Sequence, residues 1–260
     1  LIQDLARHNI HIINEKELNK EQSEFVRTYF IREVRTRLMP FMIEKDSKLP
    51  NLTDDGIYLA IHLMKNDTQK SRYALMEIPS QVLPRFVVLP ERDDGKYVIF
   101  LDDIIRFGLK DIFFIFDFND IKAYTIKLTK DAELEITDDI SESYIEKLSR
   151  SLQQRKHGSP VRFIYDRDMP SEMLKVLTRL FNFGPDDVMI PGNRYHNFKD
   201  FMNFPHTGRK KFYFDPMVPV PHRDIQPGKS ILSVIKKKDV MIFFPYHPFE
   251  HFIDLLREAG

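Results

Sequence analysis

The sequence predicts an α+β protein in which helices pack on a mixed, largely antiparallel sheet. Three observations predict it. Short runs of alternating apolar residues recur from residue 57 to residue 136, the signature of successive strands. The stretches 19–38, 140–152 and 170–183 instead repeat apolar residues three and four apart, the helical period. The run 57–64 is apolar on both of its faces, with Ile57, Leu59, Ile61 and Leu63 on one and Tyr58, Ala60 and Met64 on the other, as a central strand requires.

Taken in order, residues 1–8 place Ile2, Leu5 and Ala6 at helical spacing, and residues 9–14 switch to an Ile-rich extended pattern. Asn19, with Gln22 three residues later, caps a helix whose Val26, Phe30, Val34 and Leu38 run to Pro40. After the central strand come strands at 72–79, 85–89 and 97–100 and a short helix at 102–109. Tyr124, Ile126, Leu128, Leu134 and Ile136 alternate with Thr125, Lys127, Thr129, Glu133 and Glu135, a half-buried antiparallel pattern interrupted near Lys130-Asp131. A helix carrying Ile140, Tyr144, Leu148 and Leu152 ends at the basic stretch before Gly158. A strand at 161–165 leads to a helix with Met173, Leu177 and Leu180 inward, stopped by Gly184-Pro185. Pro216, Pro219, Pro221 and Pro227 separate this region from a new strand at 240–244 and a helix at 249–257, so a domain boundary is expected near residue 222.

Composition sets the outer limits. The chain has 260 residues, 39 basic and 39 acidic side chains, and no cysteine. It is long enough to bury a core without disulfides, carries no net field that would draw it onto nucleic acid or an anionic surface, and excludes thiolate zinc sites and thiol catalysis. The absence of cysteine also fits a reducing compartment. No apolar run approaches the roughly 20 residues that span a bilayer, and the start, Leu1-Ile2-Gln3-Asp4-Leu5, has no signal-peptide pattern. Because it begins without Met inside a helical pattern and stops just after another, the chain reads as an excised piece.

Several motifs have a chemical and a plain reading. His247-Pro248-Phe249-Glu250-His251 matches the H-x-x-E-H pattern of inverted zinc peptidases, but Pro248 favours the first helical turn, which sets His247 at a cap and apart from His251. Gly228-Lys229-Ser230 resembles the end of a P-loop, yet Arg223 stands where that loop needs glycine. The segment 192–200 crowds Arg194, Tyr195, His196, Phe198 and Lys199 together, a composition suited to anion recognition. Its plain reading is a helix start in which Asn193 or Asn197 caps and Tyr195 and Phe198 pack. The runs 209–211 and 236–238 read as solvated basic faces, and His62 as a packed core histidine.

Five segments in order carry a resemblance: 131–135 (DAELE), 160–170 (PVRFIYDRDMP), 191–202 (PGNRYHNFKDFM), 228–231 (GKSI) and 239–250 (DVMIFFPYHPFE). They resemble the polyphosphate kinases of the phosphohistidine type, with Asn193 standing where that family usually has a second glycine. The resemblance implies a parent enzyme that reversibly moves the terminal phosphate of ATP onto polyphosphate through a phosphorylated histidine, with ATP and magnesium in the parent and none expected on this piece. It assigns residues 1–14 to the end of an N-terminal helical domain, 15–221 to a head (middle) domain, and 222–260 to the first strand-helix unit of a phospholipase D-like α/β catalytic domain.

The resemblance also places the nucleophilic histidine beyond this chain, so no residue here is assigned as catalytic or as a metal ligand. Arg194, His196, Lys199, Tyr246 and His247 remain phosphate-contact candidates. The implied partners are a second copy through the head, and polyphosphate and ATP in the intact enzyme, with neither nucleic acid nor a membrane span. The implied location is cytoplasmic or peripheral to the inner membrane. Two alternatives stand beside this reading: a stand-alone polyanion or nucleic-acid binding module using Arg194, Lys199 and the basic runs, and a zinc hydrolase using His247, Glu250 and His251.

Overall fold

The chain enters through α1 (Ile2–Ala6) and turns at Asn9, whose φ of 58° is left-handed, into β1 (Ile10–Ile13). Asparagine tolerates that conformation because its short polar side chain bonds locally. In the computed structural model the described residues are 1–44, 47, 52–53, 56–65, 70–93, 95–116, 118–130, 160–184, 187–206, 208, 212–226 and 228–260. They form two units, Leu1–Thr207 and Gly208–Gly260.

The Asn19 cap forms as expected. Asn19 Oδ1 accepts the Gln22 N–H at 2.8 Å, and Gln22 Oε1 accepts the Asn19 N–H at 3.2 Å. Removing such a cap costs about 1 kcal/mol. The helix it starts, α2 (Lys20–Tyr29), does not run on as an α-helix to Pro40. It widens into a π-helical turn at Phe30–Val34 and tightens into a 3-10 turn at Arg35–Arg37. Val26, Phe30 and Val34 are nevertheless all fully buried, so the four-residue spacing located the inward face although the hydrogen-bond ladder changes beneath it.

β2 (Phe41–Ile43), β3 (Ile57–Lys65), β4 (Lys70–Glu77), β5 (Phe86–Arg92) and β6 (Gly95–Phe100) follow. Next come α3 (Leu101–Phe107) and α4 (Leu109–Ile112), two pieces where one helix is expected. The break falls at Gly108, where a Cβ would lie 2.2 Å from the Phe30 ring, so only glycine lets α3 approach the α2 extension this closely. β7 (Asp120–Lys130), β8 (Pro160–Asp166), α5 (Ser171–Leu180) and β9 (Val188–Gly192) follow. The second half of the alternating 124–136 run and the helix expected at 140–152 lie outside the described residues.

Two sheets result. β1-β6-β5 is three-stranded, with β1 parallel to β6 and β5 antiparallel to it. β2-β4-β3-β7-β8-β9 is six-stranded and antiparallel except for the β8–β9 pair. The mixed, largely antiparallel expectation therefore holds. β3 is central and buried on both faces. Ile57, Leu59, Ile61 and Leu63 pack with Val26, Phe30, Ile104 and Ile99, and Tyr58 and Ala60 pack with Ile126, Phe163, Met173 and Leu177. Residues 1–14 belong to this unit through β1, whose Ile12 pairs with Val98.

Among the described residues of Gly208–Gly260 the regular elements are helical: α6 (Ile231–Ile235) and α7 (Glu250–Ala259). Ser230 Oγ accepts the Ser233 N–H at 3.0 Å, and Glu258 Oε2 accepts the Ile231 and Leu232 N–H groups at 2.6 and 3.3 Å, so α7 holds the start of α6. The strand expected at 240–244 is not formed; these residues run as loop and turn. A strand exists only through a ladder to a neighbour, and among the described residues this unit contains no other strand to pair with.

Candidate functional site

The charged residues at the start of α3 are buried, which is rare for Asp and Arg unless they are paired. Asp102 and Asp103 have no exposed surface, and Arg85 and Arg106 are also buried. Both aspartates sit in the first turn of α3, where the helix dipole favours a negative charge.

Asp103 is the hub. Its Oδ1 accepts from Arg106 Nη1 at 2.9 Å and from Arg194 Nη2 at 2.7 Å, and its Oδ2 accepts the Tyr195 hydroxyl at 2.6 Å. Arg194 Nη2 also donates to Glu15, just beyond β1. Arg106 continues to Thr125 Oγ1 at 2.6 Å and to the Ala123 carbonyl at 3.3 Å, both on β7. Beside this hub, Arg85 lies against Asp102 at 2.5 and 2.9 Å and against Asp200 at 3.1 Å. Segments near residues 15, 85, 102, 125 and 194–200 are thereby fastened together.

The electrostatics follow from these contacts. Burial works against the Arg194 charge, but Asp103 and Glu15 outweigh it and hold the guanidinium above its ordinary value. Tyr195 is pushed well up, by burial first and by the Asp103 charge second, so it stays a neutral donor. His196 is pushed below its ordinary value by burial. Its Nε2 donates to the Thr125 carbonyl at 3.1 Å, which fixes the neutral tautomer. Gly192 makes room for that ring, since a Cβ there would come within 2.7 Å of His196 Cε1.

Aromatic rings complete the arrangement. Phe100 stacks on Tyr195 at 4.2 Å, and Phe86 meets Phe201 and Phe204 at 5.0 and 5.1 Å. Arg194 and His196 also line one cavity of about 380 Å³, together with Phe100, Phe198 and Phe201. Asn197 precedes a 3-10 turn (Phe198–Asn203) with a left-handed φ of 71°, and its Nδ2 donates to Asp200 Oδ1 at 2.7 Å. That turn is the helix start expected here, although Phe198 is exposed and not packed into the core. Lys199 lies on its exposed side.

The structure thus brings Arg194 and His196 together and commits both to partners within the chain. As members of the site, Asp103, Asp102, Arg85, Arg106 and Thr125 escaped the sequence reading. Their signal was faint: two adjacent acids at a helix start, and single arginines at a strand's edge and on an apolar helix.

Tyr246 and His247 are in Gly208–Gly260. Tyr246 is half exposed, stacks on Phe243 at 5.0 Å, and accepts the Val220 N–H through its carbonyl. His247 Nδ1 accepts the Phe243 N–H at 3.0 Å, and His251 Nε2 accepts the His222 N–H at 3.1 Å. Those nitrogens are spent on backbone donors, which removes the zinc arrangement read from His247, Glu250 and His251. Among the described residues no three His, Cys, Asp or Glu side chains converge to hold a metal. Lys238 pairs with Asp224 at 2.8 Å, while the run 209–211 lies outside the described residues. No described helix is long and apolar enough to cross a membrane.

What the two sheets and the buried network define is a mixed α+β domain, followed by a separate unit whose regular elements among the described residues are two short helices. A family model for the polyphosphate kinase middle domain matches residues 21–204. The chain is 39% identical to a polyphosphate kinase of Vibrio vulnificus and 40% identical to that of Escherichia coli, with all of this chain covered but only 37% and 38% of theirs. A crystal structure of polyphosphate kinase from Porphyromonas gingivalis matches 99% of this chain and 37% of that one, with a TM-score of 0.70 and 25% identity. The chain belongs to the polyphosphate kinase family, and it spans a little over a third of the length of the relatives it matches.

Proposed function

We propose that this chain is the middle portion of a polyphosphate kinase that reversibly transfers the terminal phosphate of ATP to polyphosphate through a phosphohistidine. The observation that carries the reading is the full-length match to kinases of which the chain covers little more than a third. In this reading the unit up to Thr207 is a head domain with structural and dimerisation roles. Residues 222–260 open the first phospholipase D-like catalytic domain, and the nucleophilic histidine lies outside the 260 residues.

The geometry supports a structural role for the head. Its buried charges are tied to one another, with Asp103, Asp102 and Asp200 each held by an arginine. Magnesium in the parent enzyme would be held largely by phosphate oxygens with one or two carboxylates, and no catalytic step is assigned to a metal on these residues. Exposed Phe114 and Ile115, in the turn after α4, supply apolar surface for a second copy.

The test is ATP-dependent polyphosphate synthesis by the 260-residue chain beside a form extended through the rest of the relatives' length. Activity only in the extended form agrees with the reading. Synthesis by the short chain would place the nucleophile within it and refute the assignment.

A further inference from the structure

We propose that His222, His247 and His251 form a donor-only imidazole cluster that binds the oxygens of a phosphate-containing ligand. This deepens the phosphotransferase reading, and rests on it only for the identity of the ligand.

The fold brings His222 beside His247 and His251, which lie 25 and 29 positions further along the chain: two of the rings meet, and the third contacts the His222 backbone. His222 and His247 meet edge-on with centroids 5.0 Å apart, and the His222 N–H donates to His251 Nε2 at 3.1 Å. Each ring then spends one nitrogen as an acceptor. His247 Nδ1 accepts from Phe243 N at 3.0 Å, His251 Nε2 from His222 N, and His222 Nδ1 from Asp224 N at 3.2 Å.

An imidazole nitrogen that accepts a hydrogen bond holds no proton, so the neutral ring carries its proton on the other nitrogen. That assigns N–H groups to Nε2 of His247, Nδ1 of His251 and Nε2 of His222. A metal ion needs lone pairs and these rings have none left to offer, whereas phosphate oxygens need donors and the cluster supplies only donors. The backbone thus decides between the two chemistries that histidine clusters serve.

The surrounding charges permit an anion. The adjoining carboxylate, Asp224, lies 2.8 Å from Lys238, whose hydrogen bond holds it below the usual carboxylate range, and the exposed Arg223 stands 3.6 Å from the same group. On α7, Asp254 is paired with Arg257 at 3.2 Å, and Glu250 is exposed.

The test titrates the 260-residue chain with inorganic phosphate, tripolyphosphate and ATP by calorimetry at neutral pH. The informative variant is His247→Asn with His251→Gln. Asparagine places its carbonyl oxygen where Nδ1 accepts and glutamine places one where Nε2 accepts, so the backbone contacts survive and the ring donors do not. Tripolyphosphate affinity is expected to fall at least about tenfold in the double variant, the weight of a hydrogen bond to a charged group, with thermal midpoint unchanged. Lys236→Ala, on the neighbouring exposed run, is expected to change it less than about twofold.

Affinity rising from phosphate to tripolyphosphate, with ATP no tighter, assigns a polyphosphate chain; tighter binding of ATP assigns a nucleotide. No binding of any of the three, unchanged affinity in the double variant, or stoichiometric zinc binding by the unaltered chain overturns the proposal. Binding and not transfer is the readout, so an inactive chain leaves the proposal standing. An active extended enzyme with an indifferent double variant sinks this inference alone.

Discussion

The two units use the same residue types to opposite ends. In Leu1–Thr207 charged and aromatic side chains are drawn inward and matched: Asp103 serves three donors, and Phe100 lies between Tyr195, Phe86 and Phe201. In Gly208–Gly260 only Ile225 and Ile231 are buried apolar residues among those described. Phe249, at the N-cap of α7, and Phe252, Ile253 and Leu256 within it line one exposed stripe at helical spacing. A finished core burdens every substitution with a cavity or an orphaned charge; an open apolar stripe does not. The first unit therefore has the energetics of a completed domain. The second has those of a surface built to be covered, which the proposed catalytic continuation would provide.

The sharpest way to break this contrast is at the hub. Asp103→Ala leaves Arg106 and Arg194 without their shared carboxylate and is expected to destabilise the first unit by about 3–5 kcal/mol, read as a lowered denaturant midpoint. A loss below about 1 kcal/mol would mean that solvent reaches the network. Next in size is Gly108→Ala, whose Cβ would meet the Phe30 ring at 2.2 Å. Overpacking there is expected to cost about 1–3 kcal/mol, and Phe30→Leu should recover part of it if the clash is the cause.

Acidification gives a graded test. His62 and His196 are both pushed below the ordinary 6.5, His62 by burial and then by Lys122, His196 by burial. The unfolded chain then binds more protons than the folded one near pH 6, so stability rises with pH through this range and is lost as pH falls below about 6.5. Asp200, pushed up by burial, has the opposite sign but acts only in the carboxylate range. Denaturant midpoints at pH 7.5 and 5.5 should differ, and the difference should shrink in His62→Leu. The smallest effect belongs to the second unit: Phe252→Ser is expected to change stability by no more than about 0.5 kcal/mol. A larger loss would show that α7 is packed within this chain.

Much of the first unit was legible because local rules and tertiary structure agree there. The Asn19–Gln22 cap, the two-faced run at 57–64 and the inward Met173 and Leu177 each state their environment through spacing alone. The π-helical turn at Phe30 was not legible: it begins where the Phe30 ring packs against Gly108, 78 positions away in the sequence, a contact that no local pattern announces. The strand expected at 240–244 failed for a related reason: apolar alternation states a preference, and only a partner strand realises it. In the candidate site, the crowding of 192–200 was visible, but not its consequence. Whether Arg194 faces a ligand or a carboxylate is decided by Glu15 and Asp103, residues that no local pattern connects to it.

The contrast between the units is tested most directly by native-state hydrogen exchange across the whole 260-residue chain. Amides of β3 and β7 should exchange only through global unfolding, and those of α7 should exchange through local opening at a far lower free energy. Equal protection of α7 and β3 would contradict the account, because the second unit would then be a finished domain with no surface left to be covered.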